Sequence, residues 1–152
     1  METILKEGFK VIGIKVRTSN ENEQAASDIP ALWGRFMSEN IAAKIPNKKG
    51  DEVYSIYTNY ESDYTKPYDA VLACRVDSLE EIPDGMVGIE IKESKYRKFT
   101  AKGNLADGIV YNQWLEIWNT DLDRKYTADF EVFGASAQDQ TNAIVDIFVA
   151  VN

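Results

Sequence analysis

The stretch YTADFEVFG at 126–134 sets a carboxylate, Glu131, in the middle of a run of β-formers. Side chains alternate along a strand, so Asp129, Glu131 and Phe133 share one face, and Phe130 and Val132 the other. A second stretch, VYSIYTNY at 53–60, repeats the pattern, with Ser55 in the place of Glu131 and Tyr57 in that of Phe133. An acid between aromatic walls suits an organic cation. Ring faces attract positive charge by about 0.5–2 kcal/mol each, and a carboxylate gains strength as a counterion where water is excluded. A strand glutamate also commonly faces solvent, and DFEVF by itself leaves both orientations open.

Other chemistry is narrowed by what the chain lacks. It has no histidine, which removes Ser-His and Cys-His pairs and histidine metal sites. Acid–base work would fall to Asp, Glu, Tyr, Lys or Cys. Cys74 is the only cysteine and lies in the strand-like VLACRV, where it reads as a small core residue. A lone cysteine forms no intrachain disulfide, which fits a cytoplasmic location. The net charge of −8, with no basic stripe, argues against nucleic acid as a direct partner. Phosphate-binding glycine motifs and C-x-x-C are missing. NTDLD at 119–123 begins like a calcium loop, but Arg124 stands where the loop glycine belongs and Phe130 where the closing glutamate belongs. No metal and no cofactor is therefore expected. No apolar run approaches the ~20 residues of a membrane span, and METILKEGFK does not read as a signal peptide.

The 152 residues make one domain, 44% hydrophobic and 28% charged. FKVIGIKVRT (9–18) alternates as a strand. Asp28 can cap a helix with Pro30 in its first turn, and this helix is expected over roughly 28–44. Its apolar face carries Ile29, Leu32, Trp33, Phe36, Met37 and Ile41. Strands are expected at 53–60 and 69–76, extended segments within 86–103, a helix over about 105–120, DFEVF as a strand, and a last strand at 143–151. The second helix offers Ile109, Val110, Trp114, Ile117 and Trp118 as its stripe. Tryptophans at such spacing serve a core as readily as a ligand cage. Glu116 falls toward the polar side.

The order β-α-β-β occurs twice, over about 5–78 and 83–152. Trp33 aligns with Trp114, Tyr57 with Phe133 and Ser55 with Glu131. KYRKFTAKG, directly before the second helix, is the counterpart of the first strand. The expected architecture is α+β: duplicated β-α-β-β units with pseudo-twofold symmetry, antiparallel sheets and two main helices around a ligand cavity. Tyr54 and Ile56 are expected beneath the helices, on the face away from the groove.

IPDGMVGIEIKESKYRKFTAKG, the following helix with Tyr111 and Trp114, and then DFEVF resemble the GyrI-like effector-binding domain of AraC-type transcription activators, also found alone and in gyrase-inhibitor proteins. The resemblance runs from about residue 5 to 151. It implies two β-α-β-β units with a cavity between them for hydrophobic, often cationic, small molecules. It implies Glu131 as the anionic group of the pocket and Trp114 as a wall. Phe133 stands where relatives often carry tyrosine, which removes a hydroxyl. Tyr57, Trp33, Phe36, Tyr111 and Trp118 complete the candidate lining. Multidomain relatives carry a helix-turn-helix, which finds no room here. Regulation of transcription would then need a separate DNA-binding chain.

The leading expectation is a protein that binds hydrophobic cationic, drug-like molecules as a sensor or effector-binding domain. One alternative is a GyrI-like small-molecule hydrolase with Glu131 as general base and Tyr54, Tyr57 or Tyr111 as proton donor, for which Glu116 is a poorly placed second acid. Another is a protein–protein inhibitor of the gyrase-inhibitor type, with an acidic surface that imitates nucleic acid.

Overall fold

The computed structural model describes residues 3–152. Eight strands form one antiparallel sheet: β1 (Thr3–Lys6), β2 (Phe9–Thr18), β3 (Val53–Thr58), β4 (Tyr68–Val76), β5 (Val87–Ile91), β6 (Ser94–Gly103), β7 (Ala128–Phe133) and β8 (Ala143–Val151). The spatial order is β1-β6-β8-β7-β3-β4-β2-β5. Three helices accompany it: α1 (Gln24–Ser38), α2 (Ile41–Lys44) and α3 (Ile109–Trp118). None of the helices described is long and apolar enough to cross a membrane.

The duplication reads directly from this order. β2-α1-β3-β4 and β6-α3-β7-β8 are the two units, and they meet where β3 pairs with β7. β6 is the partner of β2 in the repeat, as KYRKFTAKG suggested. The leading strands are exchanged: β1 pairs with β6 of the second unit, and β5 pairs with β2 of the first. β1 was not anticipated from the sequence.

The sheet curls tightly. Neighbouring strands lie about 4.8 Å apart, so three strand steps in a flat sheet would separate β2 from β7 by about 14 Å. Yet the rings of Phe9 on β2 and Phe130 on β7 are 5.3 Å apart. Tyr96 on β6 also meets Phe130, at 5.2 Å. These aromatics fill the inner face of a half-barrel, with Val11, Ile56, Val71 and Ala150. The helices cover the other face. α1 packs on Ile12, Ile14, Leu72 and Cys74, and α3 on Val145, Ile147 and Val149. Two covered faces explain why β4 and β8 are apolar almost throughout.

This arrangement corrects one expectation. Tyr54 and Ile56 belong to the curled, helix-free face with Phe130 and Val132, while Tyr57 and Phe133 lie on the helix side. The groove residues are under the helices, because the curl gives the opposite face an apolar filling of its own.

Both expected helices are shorter and broken. α1 begins at Gln24, four residues early, because Asp28 is not its cap. The Asp28 carboxylate accepts from Thr18 Oγ1 at 2.9 Å and Gln24 Nε2 at 3.1 Å, which ties α1 to the end of β2. α1 stops before Asn40, which is left-handed (φ 53°), a conformation asparagine tolerates. The second helix divides at Gly108 (φ 70°) into a 3-10 turn, Leu105–Asp107, and α3. Gly13 in β2 has a different constraint: a Cβ there would lie 1.9 Å from the Leu72 carbonyl oxygen of β4.

Candidate functional site

A cavity of about 700 Å³ lies between α1 and α3, over the central β3–β7 pair. α1 supplies Ala26, Ile29, Pro30 and Trp33, and α3 supplies Val110, Tyr111, Trp114 and Trp118. Tyr57, Glu131 and Phe133 come from the two central strands. Tyr60, Tyr64 and Tyr68 close a further side from β4 and the loop before it.

Glu131 is 2% exposed. Its Oε2 accepts from Trp114 Nε1 at 2.7 Å and from the Tyr57 hydroxyl at 2.8 Å. Ser55, paired with Glu131 across the ladder, donates to the Tyr57 oxygen at 3.3 Å. All of these partners are neutral. Burial therefore dominates and lifts the carboxyl from its ordinary 4.5 to about 7, with the bonds from Trp114, Tyr57 and Ser55 holding it back. Tyr57 is pushed well above its usual range by burial and by the negative charge of Glu131, so it keeps its proton and stays a donor.

The walls are set by ring contacts. Tyr57 meets Trp114 edge to face at 5.6 Å, and Trp33 meets Phe133 likewise at 4.9 Å. Tyr64 of the first unit stacks on Trp118 of the second, with centroids 5.3 Å apart and planes 9° from parallel. Hydrogen bonds hold the tyrosine loop. Arg17 Nη1 donates to the Asn59 carbonyl at 2.6 Å, Asn59 Nδ2 to Asp69 at 2.8 Å, and Asn20 Nδ2 to the Tyr64 carbonyl at 2.8 Å.

Seven of the eight residues anticipated from the sequence line this cavity: Glu131, Trp114, Phe133, Tyr57, Trp33, Tyr111 and Trp118. Tyr111 sits at the rim, 61% exposed. Phe36 does not line this cavity. It is 1% exposed and packs in the core between α1 and the β2–β4 strands, because the helical turn carries it past Trp33 and down onto the sheet. Tyr54 faces the other side of β3, and Glu116 is exposed and pairs with Gln113 Nε2 at 3.0 Å, so neither reaches the cavity beside Glu131. Cys74 is buried, as expected.

The sequence reading missed Tyr60, Tyr64, Tyr68 and Arg124. Tyrosines at every fourth position of a turn-forming stretch were the available signal for the first three. Arg124 gave none beyond its place in NTDLDR.

The family model for the integron-associated effector-binding protein Cass2 matches residues 4–151. YobU of Bacillus subtilis (strain 168), named as a transcriptional regulator, is 29% identical over 143 residues, which cover 91% of this chain and 89% of YobU. The integron cassette protein VCH_CASS2 of Vibrio cholerae superposes with a TM-score of 0.78 at 32% identity, over 99% of this chain and 95% of that one. SAV2435, solved bound to tetraphenylphosphonium, superposes with a TM-score of 0.80 at 21% identity, over 99% of this chain and 93% of its own, and so shares the fold. The chain belongs to the Cass2 family of integron-associated effector-binding proteins and has the GyrI-like effector-binding fold.

Proposed function

We propose that the protein binds hydrophobic organic cations in the cavity between its two units and acts as a sensor or effector-binding component. The observation that carries this reading is the isolation of Glu131: a buried carboxylate held by two neutral donors and surrounded by aromatic rings, with no protein cation within pairing distance among the described residues. An uncompensated buried acid is costly and takes up a proton instead. A delocalised cation would supply the missing countercharge without the heavy dehydration cost of an ammonium. The rings of Tyr57, Trp114 and Trp33 would add cation–π attraction. That SAV2435 was solved with tetraphenylphosphonium supports the same ligand class.

The test is equilibrium binding of tetraphenylphosphonium to the wild-type protein and to Glu131→Gln at pH 8. Micromolar binding that glutamine weakens by ~10-fold or more, about 1.4 kcal/mol, supports the reading. Equal affinity in both proteins overturns it.

A further inference from the structure

The cavity has a basic group as well as an acidic one. Arg124, from the segment between α3 and β7, lines the same space, and its side chain is 6% exposed. Its Nη2 donates to Asp129 Oδ2 at 2.7 Å. Asp129 is fully buried and also accepts from the Tyr60 hydroxyl at 2.5 Å and the Ala150 amide at 2.8 Å. The charge of the guanidinium is met there, but its hydrogen bonds are not. Nε and Nη1 are buried and have no acceptor among the described residues. What surrounds them is aromatic: the guanidinium carbon is 4.4 Å from the Tyr126 centroid, 5.8 Å from Trp114 and 5.9 Å from Tyr64. Ring faces attract the charge but offer no lone pair. Buried N–H groups left without an acceptor are costly, and because Arg124 lines the cavity, a ligand that displaces the neighbouring rings can supply one.

We propose that the ligand is a bipolar aromatic cation, its positive centre against Glu131 and a neutral carbonyl or ester oxygen accepting from Arg124. This rests on the cation-binding reading above and narrows it. A neutral acceptor fits better than a carboxylate. Asp129 already neutralises Arg124, so a further anion would bring net negative charge beside Asp129 and Glu131. Trp114 lies between the two ends: its indole N–H holds Glu131 and its ring lies near Arg124.

Two dyes separate the contributions. Tetramethylrosamine and tetramethylrhodamine methyl ester share one delocalised cation and differ by the ester. The wild-type protein is expected to bind the ester ~10-fold more tightly. In Arg124→Lys, which keeps the charge opposite Asp129 but loses the fork of donors, the ester's advantage over rosamine should shrink to within about twofold, whatever change the two affinities share. If the lysine protein does not fold, the double variant Arg124→Met/Asp129→Asn, which removes both charges together, replaces it with the same expectation. Equal wild-type affinity for the two dyes, or an equal loss of both in the Arg124 variant, overturns the inference. If dyes bind alike and Glu131→Gln weakens both, the inference alone has failed. If the wild-type protein binds neither, the cation-binding reading has failed with it.

Discussion

Ser55 and Glu131 are directly paired across the β3–β7 ladder, and they occupy equivalent positions of the two repeated units. The pseudo-twofold axis therefore passes between them. A symmetric ancestor would place the same residue on both sides, and two facing carboxylates would repel at this distance. Here one side keeps the acid and the other keeps a hydroxyl, which joins the chain Ser55–Tyr57–Glu131. One buried acid without a paired cation at the centre of the cavity suits a monovalent cation.

On the proposed reading, protonation of Glu131 and cation binding compete for the same charge. The carboxyl titrates near 7 in the free protein, and a bound cation would lower that value. Tetraphenylphosphonium affinity should therefore be constant above pH 8 and fall by up to about tenfold per pH unit below 7. Isothermal titration at pH 8, 7, 6 and 5 measures this, and a flat profile would show that Glu131 is not the counterion.

The same group sets a pH-dependent stability. Its folded value is raised, so between about pH 4.5 and 7 the native state holds a proton that the unfolded chain has released. Stability from this source is present at low pH and is lost as pH rises through the window. Glu131→Gln should be more stable than the wild type at pH 8, by on the order of 3 kcal/mol at most, and the gain should shrink toward zero near pH 5. Urea denaturation of both proteins across this range is the measurement.

Trp114 is both a wall and a proton-controlling donor. In Trp114→Phe the 2.7 Å bond to Glu131 is lost and the carboxyl should titrate higher still. Cation affinity at pH 7 should fall about tenfold, and the deficit should narrow at pH 9, where the carboxylate is restored. A deficit of equal size at both pH values would assign Trp114 to packing alone.

Phe36 separates core from site. Phe36→Ala should cost about 3–5 kcal/mol of stability, since the ring is wholly enclosed. At a temperature where the variant remains folded, its tetraphenylphosphonium affinity should stay within about twofold of the wild type. A large loss of affinity in the folded variant would put the cavity in mechanical contact with this core.

Periodicity is a local property, and what rests on it was legible in the chain. The alternation of 9–18 and 143–151, the helical stripe holding Trp33 and Phe36, and the shared face of Glu131 and Phe133 follow from backbone geometry within each segment. The repeat of β-α-β-β follows from comparing such segments. Seven of the anticipated lining residues were therefore within reach, and the repeat pointed to a common cavity between the units, as the resemblance also implied. Which face of a strand meets the helices is not local. Tyr54 and Ile56 were assigned to the helix side and lie on the other, because the curl that brings Phe9 to Phe130 depends on the four strands from β7 to β2 together. The exchange of β1 and β5 between units has the same origin, since strand pairing is decided by neighbours distant in sequence. Arg124 and Asp129 look like ordinary surface charges in NTDLDRKYTADF. Only folding removes both from water and leaves one guanidinium edge without an acceptor among the described residues, in a cavity that also holds Glu131.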